Sequence, residues 1–558
     1  MAATRPGRIG TLRRAGAVEL RSLATGIGTL PRLAGRGGSL GIVSHINARA
    51  FGHKPAIHDR RGTLTWAELD GRANRLARAL AAQGVGPGDR VAAVLRNGRE
   101  LAEMFLATQK LGASACPLNT WAKSAELRSA FETSDPAFLI YETQHGAQVA
   151  DSAPRELARV AVGHDAVRDS YEELIREHSP RPLPPLTLRR GAPRFLIHTS
   201  GTVGRPKGAI RGTGRQELSP LLDLLAVVPF TRRDVILCPA PMFHSFGILN
   251  FTIGTLLGST FVLPERFDPD ESLDLVERHG ATVCAFVPVM LHRLVSRPGA
   301  GQGRDLTGVR IVIVSGSSLP PSLRERSRQV FGDTLYDLYG STEAGWVAVA
   351  TPEDVAKRPQ SVGHPVPGVE VVVLDEQGER LGPGGVGRLY VRSDAKFEGY
   401  TGGEATDEPD GLFGIGDLGH LDEEGFLHVE GRVDDMVVVG GENVYPVEVE
   451  EVVRQVEGVD DVAVAGVPDP EYGRVLAAFV TGLASEERIL AACRDALASY
   501  KVPKRVVRVE ELPRTGSGKI LVRELVAGLG RKDLSPRRNP GPSRIVEPGT
   551  DHEGGTYG

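Results

Sequence analysis

The segment Thr199-Ser200-Gly201-Thr202-Val203-Gly204-Arg205-Pro206-Lys207-Gly208 constrains this chain more than any other, because it sets a glycine- and hydroxyl-rich loop directly behind the strand-like run Pro193 to His198. Such a loop grips an anion. Glycines let backbone N–H groups approach closely, Ser and Thr hydroxyls add donors, and Lys207 adds a point charge. The spacing is not that of a Walker loop, since Pro206 precedes Lys207 and Gly208 follows it. A second lysine-bearing turn, Pro513-Arg514-Thr515-Gly516-Ser517-Gly518-Lys519-Ile520, lies more than half the chain away. It fails the Walker test too, with Pro513 in the first glycine's place and Ile520 where Ser or Thr would bind magnesium. A phosphotransferase of the Walker type, which makes ADP, is therefore disfavoured. Two separated lysine loops point instead to a nucleotide held between two parts of the chain.

Three further elements complete the pattern: Tyr339-Gly340-Ser341-Thr342-Glu343-Ala344-Gly345, Gly416-Asp417 and Gly431-Arg432-Val433-Asp434-Asp435. In this order, over roughly Thr65 to Leu525, the five elements resemble the adenylate-forming superfamily of acyl-CoA synthetases, adenylation domains and luciferases, closest to bacterial fatty-acid–CoA ligases. The resemblance implies an α/β fold with a large N-terminal domain of layered α/β subdomains plus a distorted β-barrel, and a small mobile α+β C-terminal domain. The expected boundaries are 1–40 for a basic, disordered extension, 41–433 for the large domain, 434–528 for the small domain and 529–558 for a disordered tail.

Local patterns agree. Thr65-Trp66-Ala67-Glu68 is a capping box, and Leu69, Ala73, Leu76, Ala77 and Leu80 follow at helical spacing. Strand-like runs at Arg90 to Leu95, Pro193 to His198, Val235 to Cys238, Ala281 to Val287 and Val309 to Val314 are separated by helix-length stretches, which argues for layered α/β sheets. Pro180, Pro182, Pro184 and Pro185 read as a linker ahead of the phosphate loop. Past Leu374 the segments are short and β-like, and Pro446 to Val456 reads as a helix rich in Glu. From Leu529 onward Pro and Gly dominate, and disorder is expected.

A chain of 558 residues holds more than one domain, and its 41% hydrophobic and 24% charged content is ordinary for a soluble protein. A net charge of −4 gives no reason to expect nucleic acid. Cys116, Cys238, Cys284 and Cys493 are scattered, without metal-ligand spacing, and read as reduced core residues of a cytoplasmic protein. Neither a membrane-spanning run nor a signal peptide is expected. The first forty residues carry Arg5, Arg8, Arg13, Arg14, Arg21, Arg32 and Arg36 against the single acid Glu19. They read as a poorly ordered extension, with peripheral contact to an anionic membrane surface and a transit peptide as alternatives.

Acyl-adenylate formation brings a carboxylate onto the α-phosphate of ATP, so cations and donors must offset like-charge repulsion. The resemblance implies the roles. Thr199, Ser200, Gly201, Thr202, Gly204 and Lys207 would hold phosphates, and Tyr339 would stack on adenine beside Ser317, with Gly340, Ser341 and Thr342 adjoining. Glu343, helped by Thr202, would bind Mg2+. Asp417 would accept bonds from both ribose hydroxyls, Arg432 would support ribose and phosphates, and Lys519, swung over the site, would neutralise charge in the adenylation step. Asp434 matches the hinge about which the small domain turns before thioester formation. Three positions depart from the family pattern: Val203 replaces the usual second threonine of the phosphate loop, Ser317-Ser318 stand where many relatives have Gly-Ala, and Ile415 replaces a common Thr.

His244, in Pro241-Met242-Phe243-His244, resembles the aromatic gate of the acyl pocket. No acidic residue lies between His244 and Ser259, which disfavours an α-amino acid, since its ammonium would lack a partner. Ile248, Leu249, Phe251, Ile253, Leu256 and Leu257 make the stretch apolar, which suits either plain helix packing or a fatty or other apolar acid. Gly440-Gly441-Glu442-Asn443 resembles CoA ligases, and the chain ends without an appended carrier domain, so CoA is the expected acceptor. The alternative is an acyl-AMP ligase that loads a free acyl carrier protein.

Overall fold

The computed structural model describes residues 10–11, 40–163, 170–183, 193–199, 207–212, 218–395, 397, 399–400, 411–433, 437–439, 442–469, 473–497, 499–515 and 518–532. The capping box forms as the sequence predicts: Thr65 Oγ1 accepts from the Glu68 N–H, the Glu68 carboxylate accepts from the Thr65 N–H, and the helix Trp66–Ala82 follows. Most strand-like runs become strands within a residue or two of the expected limits, at Arg90–Val94, Arg194–Thr199, Val235–Leu237, Val283–Phe286 and Ile311–Val314.

Among the described residues, two large sheets make up the N-terminal part. One runs in the order His364–Pro365, Gly345–Ala350, Leu335–Ser341, Ile311–Val314, Val283–Phe286, Val235–Leu237, Thr260–Val262, Pro55–Asp59 and Gly62–Thr65. Its interior neighbours, from Leu335–Ser341 to Pro55–Asp59, are parallel, and antiparallel strands edge it on both sides. Parallel strands are covered on both faces, so they read as unbroken apolar runs; all four residues of Ile311–Val314 are fully buried. The other sheet has the order Gly399–Tyr400, Lys207–Gly212, Arg194–Thr199, Ser114–Pro117, Arg90–Val94, Phe138–Glu142 and Arg159–Val162. The helix Arg99–Leu111 joins the layers. Its Phe105 ring stands edge-on to Phe195 of this sheet at 5.1 Å and to Phe251 of the helix Ser245–Leu257 at 5.5 Å.

The β-rich part of the large domain is built on an antiparallel sheet in the order Glu370–Leu374, Gly387–Arg392, Phe413–Leu421 and Leu427–Arg432, which shares a core with Ala209, Val347 and Ala348 of the two large sheets. The C-terminal part packs the helices Pro446–Arg454 and Glu486–Ala496 on the sheet Val459–Asp469, Gly473–Gly482 and Arg505–Arg508. Its last helix, Val522–Lys532, runs four residues beyond the boundary expected at 528: an amphipathic face that buries Leu525 and packs Val522, Val526 and Leu529 on the sheet outweighs the glycines nearby.

All four cysteines are buried free thiols. No helix among the described residues is long and apolar enough to cross a membrane. Of the proline linker, Pro184 and Pro185 lie outside the described residues, as do residues 1–9, 12–39 and 533–558.

Candidate active site

Motifs far apart in sequence meet through one buried apolar cluster that holds Ala209, Ala344, Phe397 and Ile415. Ala209 lies two residues past Lys207, Ala344 follows Glu343, and Ile415 lies two before Asp417. Backbone bonds reinforce the meeting. The Phe397 N–H donates to the Glu343 carbonyl at 2.7 Å, and Gly399 is the register partner of Ile210. Thr199 and Lys207 face each other across their antiparallel pair, so the phosphate loop springs from that hairpin end. Ser200, Gly201, Thr202 and Gly204, with the side chains of Thr199 and Lys207, lie outside the described residues.

Asp417 and Arg432 are register partners on adjacent strands, with Arg432 Nη1 3.4 Å from Asp417 Oδ1. Tyr339 donates its hydroxyl to Asp417 Oδ2 at 2.6 Å. Burial, and then the carboxylate beside it, hold that hydroxyl well above the usual tyrosine range, so it stays a donor. Gly416 sits at φ +75°, and a β-carbon there would lie 2.9 Å from Arg432 Nη2. Glycine is what lets the guanidinium cross this turn. Arg432 Nε is buried without a hydrogen-bond partner among the described residues, an unsatisfied donor in the neighbourhood expected to receive ribose and phosphates.

The strands Leu335–Ser341 and Gly345–Ala350 form a hairpin whose turn carries Thr342 and Glu343. Ser341 Oγ accepts from the Ala344 N–H at 2.9 Å. A β-carbon on Gly340 would fall 2.0 Å from the Gly345 carbonyl oxygen, so the strands close tightly only with glycine there. Thr342 Oγ1 lies 3.3 Å from Ser245 Oγ at the start of the helix Ser245–Leu257, which puts His244 beside this turn. Its Nε2 is buried without a partner among the described residues, and burial holds the imidazole down at about 4, so the ring is neutral near pH 7. The His244 ring leans on Phe243 at 4.5 Å, and Trp121, 57% exposed, stands edge-on to Phe243 at 5.3 Å. Trp121 was not singled out from sequence, where nothing marks it.

Ser315 Oγ donates to the Leu338 carbonyl at 2.7 Å, which fixes the turn before the exposed Ser317 against the strand that bears Tyr339. A β-carbon on Gly316 would lie 3.6 Å from Val287. The Lys519 turn reaches the same valine: at Gly518 a β-carbon would lie 2.6 Å from Val289 Cγ1 and 3.6 Å from Val287 Cγ2. The turns of Ser317 and Lys519 therefore share one neighbour, with the Lys519 side chain exposed. Asp434, Gly440 and Gly441 lie outside the described residues, as do the Glu442 and Asn443 side chains.

Among the described residues no three His, Cys, Asp or Glu gather as a metal cage. A divalent ion beside Glu343 would thus rest on one carboxylate plus substrate phosphates, a donor set that fits Mg2+.

The AMP-binding enzyme family matches residues 45–401, and the AMP-binding enzyme C-terminal domain matches residues 448–519. The chain belongs to the AMP-binding enzymes. A feruloyl-CoA synthase of Amycolatopsis is 36% identical over 488 residues, covering 86% of this chain and 96% of that protein. The fatty acid–[acyl-carrier-protein] ligase ScoC of Streptomyces coeruleorubidus is 33% identical over 493 residues, covering 84% of this chain and 92% of that one. The ATP-bound crystal structure of MatB from Rhodopseudomonas palustris superposes with a TM-score of 0.76 at 31% identity, over 88% of this chain and 99% of that chain. This AMP-binding enzyme is an AMP-forming acid–thiol ligase of the acyl- or aryl-CoA type, and its substrates include a small-molecule carboxylic acid. Asp417 and Arg432 fall between the two matched spans.

Of the two readings open for the apolar stretch after His244, helix packing is the one the core displays. Ile248, Phe251, Ile253 and Leu257 are buried in the main core, with Leu249 and Leu256 packed against it, and Phe251 lies between Phe105 and Phe261. Their apolarity is accounted for by packing.

Proposed function

We propose that this enzyme joins an apolar carboxylic acid, fatty or aryl, to coenzyme A in two steps at one site. A carboxylate oxygen bonds to the α-phosphorus of ATP as the bond to pyrophosphate breaks. The CoA sulfur then bonds to the acyl carbon, AMP leaves, and the thiol proton passes to solvent. Thr199 to Lys207 hold the phosphates, Tyr339 and Ser317 flank adenine, Asp417 and Arg432 take the ribose, and Gly340, Ser341 and Thr342 shape the turn between them. Glu343 and Thr202 hold Mg2+, which offsets phosphate charge when bound. Lys519 answers the charge that builds between carboxylate and α-phosphate.

One observation carries this reading: Gly518, beside Lys519, lies against Val287 and Val289, and Val287 also lies against Gly316, which supports bringing a cation of the C-terminal part to the side proposed for the nucleotide. The apolar acid is supported by the neutral His244 ring and its aromatic neighbours Phe243 and Trp121, together with the lack of an acid between His244 and Ser259. The ligase ScoC keeps a second acceptor in view, a free acyl carrier protein.

The test is a panel of fatty, aryl and amino acids read by pyrophosphate release, with CoA, with a holo carrier protein, and with neither. Turnover with an apolar acid and CoA, yielding AMP, is expected. Activity with amino acids alone, or ADP as product, would refute the proposal; acyl transfer to the carrier protein but not to CoA would select the second acceptor.

A further inference from the structure

We infer that Arg514 is a positioning residue for adenylation: its guanidinium bridges Asp461 and the Gly518 carbonyl, and so sets the turn that presents Lys519. The inference rests on the role proposed above for Lys519. Arg514 Nη1 donates to the Gly518 carbonyl at 2.6 Å, while Nη2 forms an ion pair with Asp461 Oδ2. Asp461 belongs to the strand Val459–Asp469, whose Val462, Ala463 and Val464 are buried, so one end of the bridge is anchored in a rigid sheet. The other end is the turn itself. Thr515 N–H donates to the Lys519 carbonyl at 2.7 Å, Gly518 N–H to the Thr515 carbonyl at 2.8 Å, and Lys519 N–H to Thr515 Oγ1 at 3.1 Å.

These short-range bonds fix the turn's shape but not its direction relative to the sheet. Leu512 and Ile520, on either side of the turn, pack on the sheet, and the guanidinium adds a polar link from the sheet to the turn's own backbone. Gly518, held at φ +86°, is also the residue that meets Val289, so the atom Arg514 grips belongs to the contact between the two parts of the chain. Asp461 and Arg514 both act electrostatically on His292 of the helix Pro288–Val295, which places the bridge at that seam. Lysine carries a flexible side chain, so where its ammonium can reach is governed by where the turn places its Cα. A planar fork can hold a carboxylate and a carbonyl together, which a lysine at 514 would do poorly.

The experiment compares wild type with Arg514→Ala, Arg514→Lys and Asp461→Asn by ATP–pyrophosphate exchange, by acyl transfer from presynthesised acyl adenylate to CoA, and by thermal unfolding. Exchange in Arg514→Ala is expected to fall about 10- to 100-fold, the scale of a misplaced reacting group, while transfer stays within about twofold. Arg514→Lys and Asp461→Asn should fall between Ala and wild type. Unchanged exchange, equal loss of both half-reactions, or variants too unstable to assay would each overturn the inference, the last two by making the pair merely structural. If wild type itself exchanges pyrophosphate with no acid, it is the proposed function that fails.

Discussion

His244 shows what burial does to a single group. Its Nε2 is enclosed, and the neutral ring is favoured down to about 4 against 6.5 for a free imidazole. Between these values the unfolded chain binds a proton that the folded chain refuses, so stability rises with pH across the window and is lost as pH falls from about 6.5 towards 4. From pH 7 to pH 5 the site is expected to cost on the order of 1–2 kcal/mol. His198, also held at about 4 by burial, acts in the same direction. The fall in Tm between pH 7 and pH 5 should therefore be smaller in His244→Phe than in wild type, with His198 common to both. Equal falls would show that His244 is not held neutral. At this scale the sequence singled out His244, Tyr339 and Asp417 by motif. It did not show the hydrogen bond from Tyr339 to Asp417, because that bond joins residues 78 positions apart and depends on how two sheets meet.

At the scale of elements, the hairpin Leu335–Ser341 with Gly345–Ala350 carries Tyr339, Thr342 and Glu343 on one rigid support. It is pinned from below. Arg324 donates to Asp337 at 2.6 Å, to the Ser361 carbonyl at 2.7 Å and to the Leu319 carbonyl at 3.1 Å, with both charged partners buried. Burial pushes the Asp337 carboxyl up, and Arg324 opposes that shift. Gly340→Ala drives a β-carbon into the Gly345 carbonyl oxygen and to 3.0 Å from Trp346 Cα, backbone atoms that have little room to yield. We expect a loss of roughly 2–3 kcal/mol in denaturant unfolding, with weakened ATP binding. A change below about 0.5 kcal/mol would mean that the hairpin opens freely at this position. Elements of this kind were legible where local rules act alone, as in the capping box of Trp66–Ala82. They were less legible where packing chose among local options, as in the helix that continues to Lys532.

Across the whole molecule, the C-terminal part meets the large part along the helix Pro288–Val295, through Gly518 on Val289 and a 3.9 Å contact between Arg293 and Glu511. That ion pair is largely exposed and contributes little. If Lys519 serves adenylation alone, Lys519→Ala should lower ATP–pyrophosphate exchange about 100-fold or more, while acyl transfer from presynthesised acyl adenylate stays within about threefold. Parallel loss of both half-reactions would assign the lysine another task.

The amino-acid order alone determined the family, the sequence of motifs and the chemistry they imply, because glycine, hydroxyl and lysine spacings in a loop follow from the needs of an anion whatever surrounds them. Tertiary structure decided which motifs lie together, through Ala209, Ala344 and Ile415 in one cluster and Val287 between two turns. It also decided that the apolar run after His244 belongs to the core. A hydrophobic side chain has the same transfer free energy against a substrate or a neighbouring helix, so only the packed neighbours distinguish the two.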